Sequence, residues 1–434
     1  MKTELEYAED LKIAISTLKA QAYTAKILKR YYDGDQPLVF TQSRLREVFG
    51  RAGARFIQNW CAVVVNAVTD RLVFKGWDAT GKQVQKELNT LYKKHRVQKI
   101  SRKVHLDAVI SGDGFVMFDL IDSVQIPFYN SPEQVAVIYS EENPNLVEFG
   151  VKVFRSRDNK TVKLNMYYPD TIMKYEGKTN AINEKNMVLL DTIPNPFKKV
   201  PIVHFHNDVI DIPNILTLQD AINKTFSDMM VVSEFGAFPL RWIITNADIS
   251  DLKANPQTFL QIPKGASDEE KSQIGEFGSA NTVGYLDTMD KLANSIAVIS
   301  RTPKHYFMNT GANISGEALR AMEAPLVKKI TQIQEELADG WIEFVQMLYA
   351  ITEEVTCVWS PVETEQMETT SKVMQILKSI GIPLVTILKR FGWGEDEIEQ
   401  MAADKEIENE ASANLASAAL VIANKKLEQD NKPF

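Results

Sequence analysis

Between Arg301 and Ile351 a segment of no regular pattern, TPKHYFMNTGANIS, runs directly into GEALRAMEAPLVKKITQIQEELADGWIEFVQMLYAI. The apolar residues of the second segment fall at Leu319, Met322, Leu326, Ile330, Ile333, Leu337, Trp341, Val345, Leu348 and Ile351. Steps of three and four keep one stripe on one face of a helix. At roughly 1.5 Å per residue that helix is on the order of 50 Å long, more than a compact single domain needs, so it is expected to tie several parts of a large assembly together. Ser315 is placed to cap its start and Glu317 falls in its first turn, which leaves the preceding loop outside. Pro325 lies well inside the pattern, where its ring and missing amide hydrogen predict a kink near Glu323. An ordinary long core helix that tolerates a proline satisfies the same periodicity.

The chain of 434 residues has room for two to four domains, and 44% apolar residues can fill their cores. A net charge of -8 argues against a protein that grips nucleic acid with most of its surface. It does not exclude a chain that surrounds a duplex and lets it slide. Cys61 and Cys357 lie far apart in apolar contexts, so a disulfide framework is not expected and a reducing cytoplasm fits. The opening MKTELEYAEDLKIAI lacks the apolar core of a secretion signal, and the run CAVVV from Cys61 to Val65 falls far short of a membrane span. A protein soluble at synthesis, with no membrane partner, is expected.

Periodicity predicts helices over Glu4 to Lys29, Ala54 to Arg71, Gln83 to His95 and Gln98 to Val109, with a strand at LVFKGW. From Gly112 to about Asn207 short apolar or alternating runs (VAVIYS, LVEFGVKVFRS, TVKLNMYYP, TIMKYEG, MVLLDT, VPIVHFHN) predict a sheet module. A helix from Ile215 to Phe235 follows. The insert Gly236 to Val283 contains the strand-like LRWIIT and TFLQIP and a charged turn region, KGASDEEKSQIGEFGSA. A helix over Leu286 to Ser300 returns to the loop. After the long helix come a short strand at Val355 to Val362 and helices at Glu365 to Ile380, Pro383 to Phe391 and Glu395 to about Lys426. The fold class is α+β, dominated by helix.

No phosphate-loop motif exists, and GDGFVMF lacks the third glycine and the helix of a dinucleotide fingerprint. His204 and His206, at i and i+2 of a strand, can point to one side and chelate a metal, but no cysteine or third histidine stands nearby in sequence. Contacts to solvent or backbone are the commoner fate of such residues. Lys103, His105 and Asp107 read as surface groups of a helix, YYDGDQPL lacks the ligand spacing of a calcium loop, and no Ser-His-Asp or Cys-His set assembles from local motifs. No cofactor and no enzymatic activity are expected.

Five separated blocks carry a resemblance: YYDGDQPLVF, RLREVFG, NWCAVVVNAVTDRLVFKGW, INKTFSDMMVVSEFGAFPLRW and SGEALRAMEAPLVKK. In this order they resemble the portal proteins of tailed bacteriophages, of the type found in a Bacillus siphophage. The resemblance implies a ring, usually of twelve subunits, at one vertex of the capsid. It implies a wing over residues 1–212, a stem helix over 213–235, a clip over 236–283, and a second stem helix over 284–302. A tunnel loop over 303–316, a kinked wing helix and strand over 317–362 and a helical crown over 363–434 complete the set. The crown is short, running out soon after Leu427.

The partners so implied are further copies of the chain, double-stranded DNA held without regard to sequence, the terminase, the major capsid and scaffold proteins, and the head-to-tail connector. The location implied is the virion vertex, and the host cytoplasm during assembly. Within the loop, Lys304 and His305 are expected to touch phosphates transiently, and Tyr306, Phe307 and Met308 to pack on a neighbouring loop or the duplex. The small or polar Asn309, Thr310, Gly311, Ala312 and Asn313 suit movement. In the insert, Asp268, Glu269, Glu270 and Lys271 form a polar stretch placed to dock the packaging motor and later the connector. Two other classes stay open: a capsid-associated or scaffold protein without a channel, and a metal-dependent nuclease acting on phage DNA, which needs a carboxylate cluster that the sequence does not reveal.

Overall fold

The computed structural model describes residues 3–36, 57–157, 160–177, 182–236, 241–244, 273–276, 281–307, 315–349, 353–363, 367–391, 393–394 and 397–407. The helix α1 (Glu4–Asp33) starts in a capping box, the side chains of Thr3 and Glu6 each accepting the other's backbone N–H. It ends four residues beyond the expected stop because Gly34, at φ +70°, supplies the left-handed cap. After α2 (Trp60–Thr69) come β1 (Phe74–Ala79), α3 (Lys82–Lys94) and α4 (Val97–Ser111).

The predicted sheet module is two antiparallel sheets. One has the order β3 (Val124–Asn130), β2 (Asp113–Ile121), β9 (Ile202–His206). The other is a meander of β4 (Val135–Tyr139), β5 (Val147–Arg155), β6 (Val162–Tyr167), β7 (Thr171–Gly177) and β8 (Met187–Pro194). Strand β3 was not singled out in the sequence because Pro127 interrupts its pattern and its turn, Asp122-Ser123, carries no glycine. Being at the sheet edge, β3 tolerates a residue that cannot donate to the ladder. The turn takes positive φ at both positions, which matches the twist of a hairpin.

Three long helices follow: α5 (Ile212–Gly236), α6 (Val283–Ile299) and α7 (Gly316–Leu348), with α5 and α6 packed on each other. Between α5 and α6 lie β10 (Arg241–Ile244), in the expected LRWIIT, and its partner β11 (Gln273–Glu276), which lies within the segment read as a turn region. TFLQIP and Asp268 to Lys271 fall outside the described residues. Strand β12 (Val355–Trp359) pairs with β1, and α8 (Met367–Ser379), α9 (Leu384–Arg390) and a last helix α10 over 397–407 complete the described chain. The expected α+β, helix-dominated class holds.

Three cores result. In one, Leu11, Ile15 and Leu18 of α1 cover Phe149, Val151 and Leu164 of the meander. A second lies between the sheets, with Phe115 and Met117 against Val135 and Ile202. The largest gathers α2 and α4 to α7 around Trp341, whose ring stacks on Phe74 at 4.5 Å between centroids and lies 4.7 Å from Phe205. A Cβ on Gly340 would stand 2.6 Å from the Phe205 ring, so only glycine lets α7 approach β9 this closely. Burial of the α7 stripe begins at Leu326. Met322, in the turn before, is 39% exposed.

Two groups read as surface residues are buried here: His105 is 1% and Asp107 7% exposed. Both have hydrogen-bond partners, which is how polar groups persist in a core. The Tyr129 hydroxyl donates to Asp107, and burial pushes the Asp107 carboxyl up to about 6. His105 donates from Nδ1 to the Leu72 carbonyl oxygen at 3.1 Å and accepts the Trp341 indole N–H at Nε2, 2.9 Å away. Burial drives its pKa down to about 4, against the opposing pull of the Leu72 carbonyl.

The folded pKa of His105 lies below its ordinary value of 6.5, so its neutral form stabilises the fold above pH 6.5. That contribution, about 3 kcal/mol, is lost as pH falls from about 6.5 to about 4. In urea unfolding at fixed protein concentration, the stability gap between the wild type and His105→Gln should narrow by roughly 2 kcal/mol from pH 7 to 4.5. A gap that does not change with pH would refute the neutral buried imidazole.

Candidate functional site

The expected loop leaves α6 by a sharp turn. Arg301 takes φ +52°, the Thr302 N–H bonds the Ala297 carbonyl at 3.0 Å, and Lys304 to Tyr306 form one 3-10 turn. Residues 308–314 lie outside the described chain, and with them Asn309, Thr310, Gly311 and Asn313. The chain re-enters at Ser315, whose hydroxyl accepts the Ala318 N–H and so caps α7 as the sequence predicted.

A clamp holds the two ends of this segment. Glu323 of α7 accepts from Arg71 at 3.0 Å and from the Tyr306 hydroxyl at 3.2 Å, and His305 Nε2 lies 3.8 Å from the same carboxylate. Arg71 also donates to the Tyr306 oxygen at 2.7 Å. Phe307 lies 5.8 Å from Trp60 of α2, ring centre to ring centre. The sequence had Tyr306 and Phe307 packing on a neighbouring loop or a duplex, whereas the structure gives both rings partners in their own chain. Lys304 stays exposed. Pro325 stands two residues past Glu323, and the helix runs on through it.

Below the clamp the three long helices meet at Lys329, which is 0% exposed. Its ammonium donates to Asp211, just before α5, at 2.7 Å and to the carbonyl of Ser300, just after α6, at 2.5 Å. Burial raises the Asp211 carboxyl and lowers the Lys329 ammonium, while each charge pulls the other the opposite way. No sequence pattern marks this lysine, because a charged residue inside an apolar stripe normally reads as a solvated position.

A second cluster lies on β2 and β9. His204 and His206 do point to one side, and the third member is Asp113, which the sequence did not offer because the pairing of β2 with β9 brings it there. Its Oδ1 accepts from His204 Nε2 at 2.9 Å and His206 Nδ1 at 3.1 Å. Burial works to raise Asp113, but the two imidazoles outweigh it and hold the carboxyl at about 2. The bond to Asp113, helped by Asp208, raises His206 to about 9.

Comparison with known proteins places a match to the family described as "Phage portal protein, SPP1 Gp6-like" across residues 11–411. A portal protein of Mycobacterium phage D29 is 22% identical over 146 residues, and one of Mycobacterium phage L5 is 24% identical over 145. Each match covers 32% of this chain and 30% of the relative, so the chain spans under a third of the length of these curated relatives. A chain from the virion of a native gene transfer agent particle superposes with a TM-score of 0.45 at 12% identity, over 86% of this chain and 99% of that one.

Replacing Asp211 by Ala strands a buried ammonium and should cost about 3–5 kcal/mol in urea unfolding. The double variant Asp211→Ala/Lys329→Met should be the more stable of the two, since an apolar side chain in that site needs no counter-charge. A double variant no better than the single one would refute the ion-pair account of the junction.

Proposed function

The chain belongs to the SPP1 Gp6-like phage portal protein family, and on that premise we propose that it is the portal vertex subunit of a tailed-phage capsid. In this reading it forms a ring, of twelve copies in the virion, whose hole conducts double-stranded DNA during packaging and ejection. The ring docks the terminase first and the head-to-tail connector later, and sits among major capsid and scaffold proteins. Its role is structural, not enzymatic.

The observation that supports the ring is a set of exposed apolar side chains at the two ends of α6 and at the start of α7. On α6, packed against α5, Leu286, Val298 and Ile299 are left exposed, and Met322 is exposed at the start of α7. Closed rings repeat one pair of unlike surfaces around an axis, and apolar groups left open on one subunit are covered by the next. The net charge of -8 suits the channel, because every phosphate gripped by a cation adds affinity that a sliding duplex must break.

In the regional assignment, residues 1–212 form the wing and 213–235 with 284–302 the stem. Residues 236–283 form the clip and 303–316 the tunnel loop. The wing helix and its strand occupy 317–362, with Pro325 absorbing movement of the helix start, and the crown occupies 363–434. Lys304, His305, Tyr306, Asn309, Thr310, Gly311 and Asn313 are the channel-loop group, with His305 and Tyr306 lying beside Glu323 at its base. Asp268, Glu269, Glu270 and Lys271 face the motor.

Negative-stain images of the purified chain should show turbine-shaped rings with a central hole; particles without a hole would sink the channel. Engineered cysteines joining Gly311 to the adjacent loop should permit ring assembly yet block DNA packaging. Normal packaging by the cross-linked ring would rule out a moving loop. Replacing Asp268, Glu269 and Glu270 by Ala should weaken motor binding with rings intact, and unchanged packaging would remove that docking surface from the proposal.

A further inference from the structure

The cluster on β2 and β9 lies within residues 1–212, outside the segments assigned above to the channel loop and the clip. We propose that Asp113, His204 and His206 form a binding site for a first-row divalent metal ion, zinc being the ion the donors suit best. All three ligand atoms lie within 4.8 Å of one another. They rest on paired strands, with Asp113 directly across the ladder from His206 and diagonal to His204. With zinc–ligand bonds of about 2.0–2.1 Å, the edge of a tetrahedron is about 3.4 Å. The two edges at Asp113 are 2.9 and 3.1 Å, so side-chain adjustment of a few tenths of an ångström opens them to that size.

The outer nitrogens are committed as they are at metal sites. His204 Nδ1 is 2.8 Å from the Tyr139 hydroxyl, and His206 Nε2 is 3.0 Å from an Asp208 carboxylate oxygen. Ligating histidines spend the second nitrogen in this way, which fixes the ring, and the ion would displace the protons that His204 Nε2 and His206 Nδ1 now direct at Asp113. Phe115 stacks on His204 at 4.7 Å and 8° and sets the plane of that ring. Two imidazoles and one carboxylate favour zinc over magnesium or calcium, which prefer oxygen alone. Three ligands leave a position for water, and the half-exposed His206 gives the ion a way in.

The ion would lock β9 to β2 where the chain leaves the sheet for α5. The next residues are already pinned, Asn207 N–H to the Gly112 carbonyl at 2.8 Å and Asp208 N–H to Glu336 of α7 at 2.9 Å. Because the site lies within one chain, its test is independent of ring assembly and of the portal reading.

The full-length protein, stripped with EDTA and exchanged into chelator-free buffer, would be titrated with zinc chloride by calorimetry. We expect one zinc per chain, little competition from millimolar magnesium, and a rise in melting temperature on loading. His206→Ala, which changes a half-exposed side chain, and Asp113→Asn should each weaken binding at least tenfold, while His95→Ala should leave it unchanged. Cobalt loading should give visible absorption in the wild type that is lost in His206→Ala. Absence of saturable uptake, or uptake equal in the wild type and His206→Ala, would overturn the proposal.

Discussion

The arrangement of the three long helices depends on one buried ammonium. Lys329 closes the gap between the start of α5 and the end of α6 by bonding a carboxylate on one side and a backbone carbonyl on the other. A buried ion pair adds little net stability, since desolvation of both charges offsets their attraction. It does restrict geometry, because any sliding of α7 along the pair leaves two charges and a carbonyl unsatisfied in a place without water. The hairpin of α5 and α6 is thereby held in register with the helix that follows it.

Further along α7, aromatic packing takes over. Trp341 stacks on Phe74, touches Phe205 and donates to His105, and its own carbonyl accepts from the Trp77 indole at 3.0 Å. Strand β9 serves two faces at once: Phe205 goes to the helical core through the space that Gly340 leaves, and its neighbours His204 and His206 go to the other side. The start of α2 is treated similarly. Its first N–H groups, on Trp60 and Cys61, are accepted by Gln219 of α5 at 2.9 and 3.2 Å, beyond what Asn59 caps by itself. Polar side chains on α5 thus finish a helix 159 residues away in sequence.

Much of this was legible where local chemistry decides the outcome. The period of α7, its Ser315 cap, the helices on either side of the insert and the alternation of the meander follow from spacing alone. What was not legible depends on partners distant in sequence. Asp113 joins the histidines because of strand register, and Lys329 and His105 are polar residues whose burial is set by what faces them. Strand β3 was hidden by a proline that only an edge position allows. The apolar stripe of α7 was read as continuous from Leu319, yet the chain covers it only from Leu326.

That boundary gives α7 a mechanical division. Beyond Leu326 the helix is embedded, and before Glu323 it is a short rod of about two turns, roughly 10 Å, attached to the clamp with little packing beneath it. Between the two stands Pro325, which offers no amide hydrogen to the carbonyl of Ala321. A load applied at Ser315 therefore meets a soft spring in series with a stiff one, and most of the deflection is taken up in the first turns. If the loop moves as proposed, a displacement there would be taken up before it reached the core around Trp341.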